Sequence, residues 1–160
     1  FANIDDGWQD CRAGVDGSFH DAQGRPLLNP KTFPDVAGMT AMARDLGLKP
    51  GWYYNNYICN EPTPPGGVGG EVYMRNMRGS VDFLAKHGFE FVKIDSGSAY
   101  NNMTLWHDLI EASGQPISIE NCHQGHELPT ATWCPFNSFR TSGDAHVVGL
   151  DVELLASAHL

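Results

Sequence analysis

The 160-residue sequence predicts an α/β fold built around a parallel β-sheet. Three amphipathic segments have apolar residues at helical spacing, and each ends at a glycine. A short apolar run typical of a buried strand follows each glycine, and this alternation indicates βα units with parallel pairing. The predicted helices cover residues 35–46, 71–87 and 102–113, with stops at Gly47, Gly88 and Gly114.

Five apolar runs are the predicted strands. They cover residues 1–4, 48–54, 89–94, 116–119 and, with a weaker pattern, 136–139. Loops rich in Gly, Pro and Asn follow several of them, at residues 7–34, 55–70 and 121–135. Because no charge run or low-complexity tract interrupts this order, we expect one architectural unit.

The composition indicates a folded chain and argues against some partners. Hydrophobic residues make up 41% of the sequence, which excludes a disordered chain. The net charge is −9 with only ten Lys and Arg, so a nucleic-acid partner is not expected. No segment approaches the ~18 apolar residues of a membrane span. An acidic, aromatic-rich chain instead suits a neutral polar ligand such as a sugar.

Polar side chains collect at the predicted strand ends, where parallel α/β folds bind ligands. The five runs end in or near Asp5, Tyr53, Asp95, Glu120 and Arg140. A single strand-terminal Asp can be a turn residue, but the same polarity at five successive strand ends predicts a site.

Carboxylates together with aromatic residues favour glycosidic bond cleavage, which needs one ionised and one protonated carboxyl group. Lys93 lies two residues before Asp95, so both side chains face the same side of a strand. A cation there would help to keep Asp95 ionised, as a nucleophile requires. Asp144, in a separate Gly-containing turn, is the candidate general acid/base.

Several segments, in order along almost the whole chain, resemble glycoside hydrolase family 27, the α-galactosidases and melibiases. They are NIDDGWQ (3–9), DAQGRPLLNPKTFP (21–34), LGLKPGWYYN (46–55), GFEFVKID (88–95), Glu120 and FRTSGD (139–144). The resemblance implies a retaining mechanism and a (β/α)8 TIM barrel followed by an antiparallel β-domain. Residues 1–160 would then be a partial catalytic domain holding about strands 2 to 6, without the β-domain, and we expect this chain alone to be unstable and inactive.

The resemblance also implies roles for single residues. Asp95 matches the nucleophile and Asp144 the acid/base. The expected sugar-binding residues are Asp5, Asp6, Tyr53, Lys93, Glu120 and Arg140. The implied substrate is a galactosyl oligosaccharide or glycoconjugate, with no cofactor. Glu120 argues against an α-N-acetylgalactosaminide, whereas a β-L-arabinopyranoside remains an alternative, as does a non-catalytic sugar-binding barrel.

The four cysteines depart from the family pattern. Gly97 stands where relatives often carry Cys, which leaves Cys59 without that partner, and Cys11 is a substitute. The resemblance also suggests that Cys122 and Cys134 close the loop after the fourth strand. Disulfides would fit a secreted or otherwise extracytoplasmic protein. A zinc site using Cys122, His123, His126 and Cys134 is a competing hypothesis, although the spacing matches no known ligand pattern.

Some residues also permit purely structural interpretations. Asp5 and Asp6 can be ordinary turn residues, and Lys93 can form an ion pair with Asp95. Trp8, Trp52 and Trp133 can stack on sugars or pack in the core. Asn102 begins a glycosylation sequon but is equally suited to cap a helix.

Overall fold

A computed structural model describes residues 1–55, 59, 66–95, 101–122 and 128–141. The described strands form one parallel sheet in the order β1-β2-β3-β4-β5. They are β1 (Ala2–Asn3), β2 (Pro50–Tyr54), β3 (Phe91–Ile94), β4 (Ser118–Asn121) and β5 (Ser138–Phe139). The helices are α1 (Val36–Asp45), α2 (Glu71–His87) and α3 (Met103–Ser113). The predicted α/β class, parallel pairing and order of elements are therefore confirmed, although β1 and β5 are shorter than the apolar runs that predicted them.

The helix ends follow from local sequence. The side chain of Asp35 accepts a hydrogen bond from the amide of Gly38, and that of Asn102 accepts one from the amide of Leu105. Both residues are therefore N-caps, so the cap interpretation of Asn102 is correct. Gly88 and Gly114 end α2 and α3 in the left-handed conformation, with φ of 66° and 68°. Glycine adopts this conformation without steric cost, which explains why the stops were visible in the sequence.

The main core lies between one face of the sheet and the helices. Trp52 packs against Phe83 of α2 with ring centroids 5.2 Å apart, and Tyr54 packs against Trp106 of α3 at 5.1 Å. Trp8, from the loop after β1, is fully buried beside Trp52 at 5.1 Å. Trp8 and Trp52 are thus core residues, and the sugar-stacking alternative is wrong for them.

The loop between β1 and α1 folds back over the core. Isolated antiparallel bridges pair Gln9 with Leu28 and His20 with Pro26. This loop also lies directly against α2, since a Cβ on Gly79 would stand 2.0 Å from the carbonyl oxygen of Gly24. Only glycine at position 79 permits this approach, so the sequence of α2 is fitted to the loop.

The cysteines confirm one disulfide expectation and contradict the other. Cys11 and Cys59 form a disulfide between the loop after β1 and the loop after β2. Cys122 and Cys134 are free thiols, so the predicted bond between them is wrong. Their sulfur atoms have other partners: Arg140 donates to Cys122 Sγ at 3.5 Å, and Cys134 Sγ donates to the carbonyl oxygen of Phe136 at 3.4 Å.

Within the described residues, no helix is long and apolar enough to cross a bilayer.

Candidate active site

The strand register brings the predicted polar residues together at one end of the sheet. Tyr53 pairs in register with Lys93, and Lys93 pairs with Glu120. Register partners in a parallel sheet project from the same face, which here is opposite to the face that carries Trp52 and Tyr54. Tyr53, Lys93 and Glu120 therefore form one row across three strands, and Asp95 follows at the end of β3.

The carboxylate of Asp95 is held by the neighbouring strand. The hydroxyl of Tyr53 donates to Asp95 Oδ2 at 2.8 Å. Tyr53 is almost completely buried, and this burial, with the hydrogen bond to Asp95 and its negative charge, raises the pKa of the phenol. The phenol thus stays protonated and remains a donor to the carboxylate.

Lys93 pairs with the carboxylate that follows β1. Its Nζ lies 2.9 Å from Asp5 Oδ2 and 5.1 Å from the ring centroid of Tyr53. Burial alone would lower the pKa of Lys93, but the hydrogen bond to Asp5 and the nearby negative charges outweigh it and raise the pKa. The ammonium group is therefore a fixed positive charge, and its ion pair with Asp5 was not predicted.

Asp5 and Asp6 also shape their own turn. Asp5 Oδ1 accepts from the amide of Asp6 at 2.9 Å, and Asp6 Oδ1 accepts from the amide of Gly7 at 2.8 Å. Both aspartates thus accept from an adjacent backbone amide, and Asp5 has the bond to Lys93 in addition. Partial burial and the negative charges of Asp5 and Asp95 raise the pKa of Asp6. The hydrogen bonds from Gly7 and Gln9 act in the opposite direction but are outweighed.

A buried thiol lies at the end of β4. Cys122 is 1% exposed and accepts a hydrogen bond from Arg140 Nη1. Burial raises the pKa of this thiol although Lys93 and Arg140 oppose the shift. The structure thus places the predicted residue Arg140 beside Cys122, which sequence reasoning considered only as a disulfide or zinc residue.

Asn55 is the second residue that sequence reasoning missed. Its Nδ2 donates to the hydroxyl oxygen of Tyr53 at 3.0 Å. The sequence does contain a signal for Asn55: a residue two positions after Tyr53 projects from the same face of an extended chain.

Several predicted residues do not form part of this cluster as described. Asp144 lies outside the described residues, as do His123 and His126. Among the residues that the structure describes, no group of three or more His, Cys, Asp or Glu side chains is arranged to hold a metal ion. Trp133 is partly buried, donates to Thr104 Oγ1 at 2.9 Å and packs edge-on against Phe136.

Comparison with known proteins supports the fold but assigns the protein to no family. No protein-family model and no curated protein sequence matches the chain. A solved structure from Bacillus halodurans, provisionally described as an alpha-N-acetylgalactosaminidase, matches with a TM-score of 0.53 at 16% identity. The match covers 75% of this chain and 40% of that one. At this identity the likeness shows a shared α/β fold, and the five-stranded parallel sheet is compatible with part of a TIM barrel.

Proposed function

We propose that this chain carries the sugar-binding end of a retaining glycosidase that removes terminal α-D-galactosyl residues. The observation that supports this most strongly is the pairing of Asp95 with the Tyr53 hydroxyl, beside the Lys93–Asp5 ion pair, at the carboxyl ends of adjacent strands. The solved structure with a similar fold is provisionally described as a glycosidase, which agrees with the proposal. A galactosyl oligosaccharide or glycoconjugate would be the substrate.

Asp95 is the proposed nucleophile. Its carboxylate would attack the anomeric carbon and displace the leaving oxygen, to which Asp144 would give a proton. Water, deprotonated by Asp144, would then attack the glycosyl–Asp95 ester and release the sugar with retained configuration. The hydrogen bond from the Tyr53 hydroxyl would hold the carboxylate of Asp95 in place for the first step.

The remaining polar residues are the proposed sugar ligands. Carboxylates accept from sugar hydroxyls and cations donate to them, so a row of both signs suits a polar but uncharged ligand. Lys93 and Asp5 present such a combination 2.9 Å apart. The proposed sugar-binding residues are Asp5, Asp6, Tyr53, Lys93, Glu120 and Arg140.

We further propose that residues 1–160 form part of a (β/α)8 barrel in an extracytoplasmic protein. In the described residues, β1 and β5 each pair on one side only, whereas a closed barrel has no edges. The Cys11–Cys59 disulfide supports an oxidising compartment.

A panel of aryl glycosides assayed on the complete gene product tests the substrate. The proposal predicts the highest kcat/KM for the α-D-galactoside, a lower value for the β-L-arabinopyranoside and the lowest for the α-N-acetylgalactosaminide, because Glu120 would crowd the acetamide. Galactose binding without hydrolysis of any glycoside would instead identify a sugar-binding barrel. Full activity in a metal-free preparation would exclude the zinc hypothesis.

A further inference from the structure

Hydrogen bonds connect three polar side chains in series, from the end of β2 to Asp95. Asn55 Nδ2 donates to the hydroxyl oxygen of Tyr53 at 3.0 Å, and that hydroxyl donates to Asp95 Oδ2 at 2.8 Å. The amide and the carboxylate are thus joined through one phenol.

The direction of these two hydrogen bonds follows from which groups can donate and which can accept. An ionised carboxylate only accepts hydrogen bonds, so the single phenol hydrogen of Tyr53 must point to Asp95. The phenol oxygen is then an acceptor toward Asn55, which must present its NH2 group. If the phenol rotated toward another acceptor, Asp95 would lose this donor.

The backbone at both Tyr53 and Asn55 is anchored to the loop after β1. Trp8 Nε1 donates to the carbonyl oxygen of Tyr53 at 2.8 Å, and Gln9 Nε2 donates to that of Asn55 at 3.2 Å. Trp8 and Gln9 are both buried. The loop therefore fixes the place from which the Asn55 amide reaches the phenol.

We propose that Asn55 is a positioning residue of this site, whose amide holds the Tyr53 phenol so that its hydrogen stays on Asp95. The inference rests on the proposed function and adds to it a residue that acts on the nucleophile through another side chain. The donation from Asn55 also polarises the phenol, which strengthens its own donation by roughly 10–30%.

Two substitutions in the complete gene product test this role. Asn55→Ala removes the donor and should lower kcat/KM about fivefold, the size of one hydrogen bond. Asn55→Leu also removes the donor, keeps nearly the same side-chain volume and adds no charge, so it should produce a similar loss.

A second measurement does not depend on activity. The carboxyl 13C chemical shift of Asp95, recorded at one fixed pH and assigned by its disappearance in Asp95→Asn, should move in Asn55→Ala part of the way toward its value in Tyr53→Phe, which lacks the donating hydroxyl.

The outcomes separate the two proposals. An Asp95 chemical shift in Asn55→Ala equal to that of the unsubstituted protein overturns the positioning role, whatever the activity. A moved chemical shift in a protein that hydrolyses no glycoside keeps the positioning role and contradicts the proposed function. Asn102→Ala is the matched control: it removes an asparagine cap from α3, and it should lower stability without moving the Asp95 resonance. If Asn55→Ala does not fold, Asn55→Leu supplies the same comparison without adding a charge.

Discussion

The ammonium group of Lys93 on β3 lies 2.9 Å from Asp5 Oδ2 after β1, so the two residues join the first and third strands across β2. The side chain of Asp5 is 64% exposed and that of Lys93 is 19% exposed. The pair is therefore open to a ligand on the side of Asp5, and an ion pair with one solvent-exposed partner contributes little to stability. Its position at the strand ends favours a role in binding.

Lys93→Met should impair activity far more than stability. Loss of a charge-assisted hydrogen bond to the sugar would reduce kcat/KM about 10- to 100-fold, while the free energy of unfolding should change by less than ~1 kcal/mol. Steady-state kinetics and urea denaturation of the complete gene product measure the two effects. Lys49→Met is the matched control, because Lys49 forms an ion pair with Glu90 at 3.2 Å. Equal losses of activity in both variants would contradict the binding role of Lys93.

Stability should fall at alkaline pH. The pKa values of Lys93 and Tyr53 are raised from 10.5 and 10.0, so both groups hold their protons more tightly when folded. Their contribution is complete below about pH 10 and is lost as the pH rises through the folded-state values. Tyr73, with a pKa raised by burial, adds a loss of the same sign. Urea denaturation between pH 8 and 11 measures this slope, which should be smaller in Tyr53→Phe and in Lys93→Met; an unchanged slope in both would contradict it.

The Cys11–Cys59 disulfide should stabilise the protein substantially. The two cysteines are 48 positions apart, and closing a loop of this length restricts the unfolded chain by ~4 kcal/mol in the chain-entropy model. In the complete gene product, the double variant Cys11→Ser/Cys59→Ser should lower the free energy of unfolding by about 3–4 kcal/mol, whereas Cys134→Ser, which alters an exposed thiol, should not. Equal denaturation midpoints for the double variant and the parent would show that the bond adds nothing.

How far the sequence predicts this structure depends on whether a feature is local. The end of α2 was predictable because Gly88 alone reports a left-handed stop. The partner of Lys93 was not, because Asp5 is 88 residues away and their contact depends on strand register. The bond between Cys122 and Cys134, which the family resemblance suggested, also depends on distant packing, and in the structure the two sulfur atoms instead contact the Phe136 carbonyl oxygen and Arg140.

Residues 1–160 expressed alone should not melt cooperatively. Large apolar side chains remain open in the structure, with Phe1 64%, Met42 65% and Leu46 70% exposed, and β1 and β5 have unpaired edges in the described sheet. Thermal melts followed by circular dichroism, with dye binding to exposed apolar surface, measure this. The complete gene product serves as the control. A sharp melt combined with galactosidase activity in the isolated chain would contradict the proposed barrel segment.

The most direct test of the proposed mechanism is azide rescue of Asp95→Gly in the complete gene product with an activated aryl α-D-galactoside. Removal of the nucleophile should reduce turnover to background, and azide should enter the vacated space and attack the anomeric carbon. We expect recovery of aryl release and formation of β-galactosyl azide, the product of inverted configuration. Near-normal hydrolysis by Asp95→Gly without azide would contradict the assignment of Asp95.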